Sequence, residues 1–220
     1  MTAKVADLLA ELAESDDPKT RVVNERHGDN HGVKLSVLRG IAKRLKTQQP
    51  VAVELWATGD TAARLLSLLI CKPKEYSADD LDAMLRDVRT PKIQDWFVGY
   101  VVKKSPHREE LRTAWTADSD PIVAAAGWSL TADRVISDAD GLDLSGLLDA
   151  IDAQMKDAPD RLQWAMNTTL AQIGIGHPEL RERAVEIGER LEVLKDYPTS
   201  PGCTSPYAPV WIAELVRRQS

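Results

Sequence analysis

Apolar residues recur at three- and four-residue intervals along most of the chain, the spacing of helices that bury one face. The stretch from Gly32 to Lys72 shows the pattern most clearly. Leu35, Leu38, Ile41, Ala42 and Leu45 predict one amphipathic helix over Val33–Leu45. Gln49-Pro50 ends it and restarts the chain in Val51–Trp56. Thr58-Gly59-Asp60 breaks the chain again, and Asp60 or Thr61 can cap a helix over Ala62–Ile70.

The same reading extends in both directions. Thr2–Ser15 predicts a helix with Val5, Leu8, Leu9 and Leu12 inward, stopped by Asp16-Asp17-Pro18, and Arg21–His31 is less periodic. Ser77 is a good cap for Ala78–Asp87, and Thr90-Pro91 opens a helix over Pro91–Lys104. That helix carries Ile93, Trp96, Phe97, Tyr100 and Val101 on one stripe. Ser105-Pro106 starts another, with Leu111, Ala114 and Trp115 inward. An Ala-rich run after Asp120-Pro121 predicts a helix that neighbours can approach closely, and Leu144–Met155, Pro159–Gly174 and Pro178–Leu191 follow. Pro198, Pro201, Pro206 and Pro209 then make a rigid segment, followed by a short helix over about Pro209–Arg218 with Trp211, Ile212 and Leu215 inward. The expectation is an all-α chain of about a dozen short helices without strands. It reads as an α-solenoid, one domain over 1–220, with residues 195–220 as a Pro-rich cap on its end.

Composition agrees with that class. The chain has 220 residues, enough for a real core, and it is rich in Ala and Leu with few β-branched runs. No apolar run reaches a membrane span, and the acidic first helix does not resemble a signal peptide. Cys71 and Cys203 suggest no disulfide framework, which points to the cytoplasm.

Charge changes the picture more. A net charge of −6 argues against a protein that simply coats nucleic acid. The charge is uneven, however. Eight aspartates between Asp133 and Asp160 crowd one segment, while bases gather in Lys34–Lys46, Arg86–Lys92 and Lys103–Arg112. No Asp or Glu occurs between Gly32 and Pro50. Arg39, Lys43 and Lys46 stand four and three residues apart and line one helical flank, with Lys103 and Lys104 the next candidates for phosphate contact. Solvated helix faces are the other reading of these bases.

The alternation His27, Asp29, His31 could be drawn as metal ligands, but no other Cys or His lies near it, and a polar connector is the better reading. No metal or cofactor is expected. Cys203 has no paired His and reads as a small apolar residue of the cap. Trp56 and Trp115 read as core, whereas Trp128 and Trp164 could line a concave surface. Asn167-Thr168-Thr169 could bond to a neighbouring helix or turn, or line a cleft.

The run GVKLSVLRGIAKRL, the following LWATGDTAARLLSLLI, the Trp-bearing helix at Asp95-Trp96 and the ending from IGIGHPELRERAVEIGERLEV to DYPTSPGCTSPYAPVWI resemble the DNA alkylation repair family. The resemblance covers about Arg21 to the end. It implies HEAT-like repeats, a curved stack of helix pairs whose concave basic face holds duplex DNA by its backbone. It also implies excision of N3- or N7-alkylated purines by members whose aromatic cleft carries a carboxylate. Residue by residue, Trp96 matches the cleft tryptophan. Tyr100 stands where the glycosylases place an Asp, so Trp96, Tyr100 and the neighbouring Asp95 are the candidate catalytic positions. Trp164 lies one turn before the second cleft tryptophan's place, which Thr168 occupies, and the cleft arginine falls at Ala124 or Ala125.

The expected function is therefore recognition of damaged or distorted duplex DNA, alkylated or branched, by a monomer. An active alkylpurine glycosylase with a relocated carboxylate and a protein-interaction solenoid without a DNA role are the competing readings.

Overall fold

The computed structural model describes residues 4–219. The described residues form thirteen α-helices joined by short breaks, and the one β feature among them is an isolated antiparallel bridge between Asp16 and Val33. The chain divides into two compact units, residues 1–108 and 109–220. No described helix is long and apolar enough to cross a membrane.

The first unit contains α1 (Val5–Glu14), α2 (Pro18–Glu25), α3 (Leu35–Leu45), α4 (Gln49–Ala57), α5 (Thr61–Ile70), α6 (Ala78–Arg86) and α7 (Pro91–Trp96). Its centre is α5, in which eight of ten residues are buried and which packs against α3, α4 and α7. The caps are those the sequence announces. Asp60 accepts the Ala63 N–H at 2.8 Å, and Ser77 forms a reciprocal capping box with Asp80.

Two local expectations change. Asp16-Asp17-Pro18 does stop α1, but it also starts α2. Pro18 occupies the first helical turn and Asp17 caps it, accepting from Lys19 N–H and from the Thr20 hydroxyl. No α2 residue is buried, so the helix lacks the apolar period that would have announced it. Pro91–Lys104 is not one regular helix. It is α-helical to Trp96, a π turn over Phe97–Val101, and a 3₁₀ turn over Val102–Lys104. Trp96, Phe97, Val98, Val101 and Val102 are all buried, an arc of about 240° at 100° per residue and wider than one α-helical face offers. Three valines and Gly99 also weaken the α preference there.

The second unit contains α8 (Arg108–Thr116), α9 (Pro121–Ser137), α10 (Leu144–Gln154), α11 (Asp160–Gly176), α12 (Pro178–Leu191) and α13 (Ala208–Gln219). α9 and α11 are its two 17-residue helices and pack together, with α12 and α13 against α11. Gly174 lies inside α11, because the apolar Ile173-Gly174-Ile175 continues the buried face instead of ending it. A Cβ on Gly127 would fall 2.3 Å from the Thr116 backbone nitrogen, so α9 meets the end of α8 as closely as backbones allow. Trp128 is buried at 3% exposure and belongs to this core, so it lines no surface; Ala114, expected inward, is exposed. Ala124 and Ala125 are buried in the same helix.

The Pro-rich segment ends in α13, whose Ile212 is buried against Gly174. Asn167, 1% exposed, donates its amide to the Pro206 carbonyl at 2.8 Å and ties the segment to α11. Thr169 donates to the Trp128 carbonyl at 3.2 Å, a bond between helices. Cys203 is exposed, and not the buried small residue of the cap that the lack of a paired His suggested.

Candidate nucleic-acid interface

The basic flank and the Trp96 helix, 57 residues apart at Arg39 and Trp96, come together in the first unit. The Arg39 guanidinium lies 5.4 Å from the centre of the Trp96 ring. Trp96 meets Tyr100 edge to face at 5.3 Å, and the Lys104 ammonium lies 5.6 Å from the Tyr100 ring. Arg39, Trp96, Tyr100 and Lys104 therefore form a continuous ladder of cation and ring, a geometry favoured by the electron-rich ring faces. The π turn supports it, because Tyr100 sits within that turn and stays half-buried beside Trp96, which is 8% exposed.

The cations around the ladder differ from others in this unit. Arg44 pairs with Glu11, Arg64 with Asp87, and Lys72 with Glu75. Arg39, Lys43, Lys46 and Lys104 are exposed, and none forms an ion pair with a described residue. Lys46 leaves the line of Arg39 and Lys43, because α3 ends at Leu45 and Lys46 turns away at φ 57°. Lys103 is half-buried on the 3₁₀ turn and has an interaction of its own. Asp95 is exposed on α7 beside Trp96 and is likewise engaged.

The loop His27–Gly32 holds this arrangement from below. Thr90 provides no cap for α7. Instead Asp29, 3% exposed, accepts the Lys92 N–H at 2.9 Å. Asn30 accepts from the Thr61 hydroxyl at the start of α5. Asp16 accepts the Gly32 N–H at 2.9 Å and the Arg21 guanidinium at 2.5 Å, and the Arg21 bond holds its carboxyl below the usual range. A Cβ on Gly32 would lie 2.4 Å from that carboxylate, so only glycine permits the approach. His31 is buried beside them. Asn24 donates to its carbonyl at 2.8 Å, and burial lowers the imidazole pKa. The polar connector is thus a clasp across three helix starts. Its hint in the sequence was the density of Asp, Asn and His in six residues. Its partners, 31 and 63 residues away, left no local signal.

The second unit brings together Trp164 and Tyr197, whose rings meet edge to face at 5.0 Å with 39% and 48% exposure. Thr168 uses its hydroxyl within α11, donating to the Trp164 carbonyl at 2.9 Å. Trp56, expected as core, is half-buried: Phe97 lies 5.9 Å from its ring and the Arg64 guanidinium 4.9 Å. Cys71 is buried, and its thiol is pushed up to about 11, so it is not a nucleophile at neutral pH. Among the described residues no group of three His, Cys, Asp or Glu could hold a metal ion.

The profile of the family described as DNA alkylation repair enzyme matches residues 8–212, nearly the whole chain. The protein belongs to the DNA alkylation repair enzyme family. No curated protein sequence matches it. Among solved structures, it is similar to one described as a new family of proteins related to the HEAT-like repeat DNA glycosylases with affinity for branched DNA structures. That likeness has a TM-score of 0.80 at 24% identity and covers 99% of this chain and 95% of the other. The fold of this family member is therefore the all-α, HEAT-like one that the sequence implied. The position where the resemblance implies a carboxylate carries the Tyr100 phenol, and both ends of the ladder are cationic.

Proposed function

We propose that this protein is a DNA-binding member of the DNA alkylation repair enzyme family that holds damaged or distorted duplex, including branched DNA, by its phosphate backbone. Arg39, Lys43, Lys46, Lys103 and Lys104 supply the phosphate contacts, with Trp96 and Tyr100 as the rigid surface between them. Trp164, beside Thr168, offers a further contact on the second unit.

The observation that carries this reading is the Arg39–Trp96–Tyr100–Lys104 ladder. A glycosylase must stabilise a cationic sugar, and an alkylated purine is itself cationic; both need negative charge in the cleft. Here the protein's own guanidinium and ammonium already occupy ring faces, and the ladder contains no carboxylate. That arrangement repels a cation and attracts a phosphate. The branched-DNA affinity named for the similar structure supports the same substrate class.

The test is to incubate the protein with undamaged duplex, duplex containing N7-methylguanine, and a four-way junction, measuring retention and released base. Retention without release, strongest on the modified or branched DNA, is expected. Base release abolished by Asp95→Ala would establish a relocated catalytic carboxylate instead. Absence of retention at low salt would leave a protein-interaction role.

A further inference from the structure

Glycine weakens a helix, because it loses the most backbone freedom on folding and packs no side chain. A fold has reason to keep it where φ is positive or where a neighbour leaves no room for a Cβ. Nine of the twelve glycines have such a reason: four adopt a positive φ, and at five an added Cβ would fall within 3 Å of another atom. Gly176 is the last residue of α11, where helix propensity counts least. Gly40 and Gly99 have no such reason. Neither adopts a positive φ, both are exposed, and an added Cβ would meet nothing within 4 Å at either position.

Both belong to the elements that build the ladder. Gly40 lies inside α3 directly after Arg39 and one turn before Lys43. Round the helix it stands about 100° from Arg39 and about 60° from Lys43. Gly99 lies in the π turn directly before Tyr100. Arg39 and Lys43 form no ion pair with a described residue, so the open space over Gly40 adjoins charge that the protein leaves uncompensated. Asp95, one turn before Gly99, is an exposed acid but is engaged within the protein.

We propose that Gly40 and Gly99 set how closely a DNA strand approaches the ladder. Each leaves the backbone bare, so that a sugar-phosphate segment packs directly on it, within reach of Arg39 and Lys43 at Gly40 and beside the Tyr100 ring at Gly99. A side chain at either position would hold the strand off. The phosphate would then lie farther from the cations, with water and salt between them to weaken the attraction. The proposal rests on the DNA-binding reading above and adds to it the residues that determine the approach.

Gly40→Leu and Gly99→Leu are compared with the parent protein and with the Arg39→Glu/Lys43→Glu variant. Ala10→Leu, at an exposed position of α1, is the control for an added apolar side chain. Melting is followed by circular dichroism, and binding of a labelled four-way junction by fluorescence anisotropy over a range of salt concentrations. Gly40→Leu should melt at or above the parent temperature, since leucine is the better helix former. It should nevertheless bind at least tenfold more weakly at low salt, with a salt slope shallower by about 1–2. Gly99→Leu should weaken binding several-fold, and Ala10→Leu should leave it unchanged. Gly40→Ala and Gly99→Ala should shift affinity in the same direction by less, and they decide if a leucine variant does not fold. Parent affinity in both glycine variants, or a loss no greater than in Ala10→Leu, overturns the proposal; weakening in the Arg39/Lys43 variant alone would then leave the DNA-binding reading standing. A loss at only one glycine overturns the proposal for the other. No binding by the parent at low salt overturns both the proposal and the reading beneath it.

Discussion

Asp29 accepts the backbone N–H of Lys92 at 2.9 Å and so caps, from 63 residues away, the helix that carries Trp96. The carboxylate is buried, and the N–H belongs to the first turn of α7, where no intrahelical acceptor exists. Asp29→Ala should destabilise the protein by about 1–3 kcal/mol, the cost of leaving a buried donor unmet. Asp29→Asn keeps an oxygen at the same place and should cost less. Urea unfolding measures both, and amide exchange at Lys92 and Ile93 should accelerate in the alanine variant.

His31, packed in the same clasp, predicts a pH dependence. Burial lowers its pKa from the usual value of about 6.5, and this outweighs the attraction of Asp29 and Asp16; Arg21 adds to the lowering. The unfolded chain then binds the proton more readily than the folded one, so stability rises with pH across the window. The contribution is fully present above about pH 6.5 and is lost as the pH falls from there through the lower folded value. Asp16 and Asp17, whose pKa values are also lowered, lose their contributions only below the usual carboxylate value of about 3.9, so the windows separate. Urea midpoints should fall between pH 7.5 and pH 5.5, and His31→Gln should flatten that slope. An unchanged slope in the variant would place its origin elsewhere.

Two glycines should respond to alanine in opposite directions. Gly40 sits inside α3 on an exposed face with nothing within 4 Å of an added Cβ. Gly40→Ala should stabilise by about 0.5–1 kcal/mol through helix propensity alone. Gly127 sits inside α9 with the Thr116 and Trp115 backbone closer than any Cβ tolerates. Gly127→Ala must push α8 away and should cost at least about 1–3 kcal/mol. Thermal unfolding of the two variants beside the parent protein checks both signs.

These cases also mark how far the sequence could be read. Periodicity and caps located nearly every helix with a buried face, because a core-facing stripe and an Asp or Ser cap are local signals, as at Asp60 and Ser77. α2 was missed because it buries nothing. The π turn was missed because Phe97–Val101 has a readable α stripe until Val98 and Val102 are also required inside. At the site, the residues Arg39, Trp96, Tyr100 and Lys104 were legible separately, from charge spacing and from the family resemblance. Their assembly into one ladder was not, since nothing near Arg39 specifies a ring 57 residues later. Trp128 was not legible for a related reason: nothing in its own segment says whether a large ring on an Ala-rich helix turns inward.

The ladder predicts the salt dependence of DNA binding. Each phosphate neutralised on duplex DNA contributes a slope of about −0.9 to the plot of log affinity against log salt. Arg39, Lys43 and Lys104 have no ion pair with a described residue, so charge reversal removes a DNA contact without releasing an internal partner. Arg39→Glu with Lys43→Glu should reduce the magnitude of the slope by about 2 and weaken binding at least tenfold at low salt. Arg44→Glu is the control on the same helix. Arg44 already bonds Glu11 at 2.5 Å, so its reversal should cost stability but change the slope little. Trp96→Phe tests the rings separately. It retains an aromatic face under Arg39 and should leave the slope unchanged, whereas Trp96→Ala removes the support that orients the guanidinium and should lower affinity for modified or branched DNA more than for plain duplex. Equal slopes for the parent and the Arg39/Lys43 variant would remove this face from the interface.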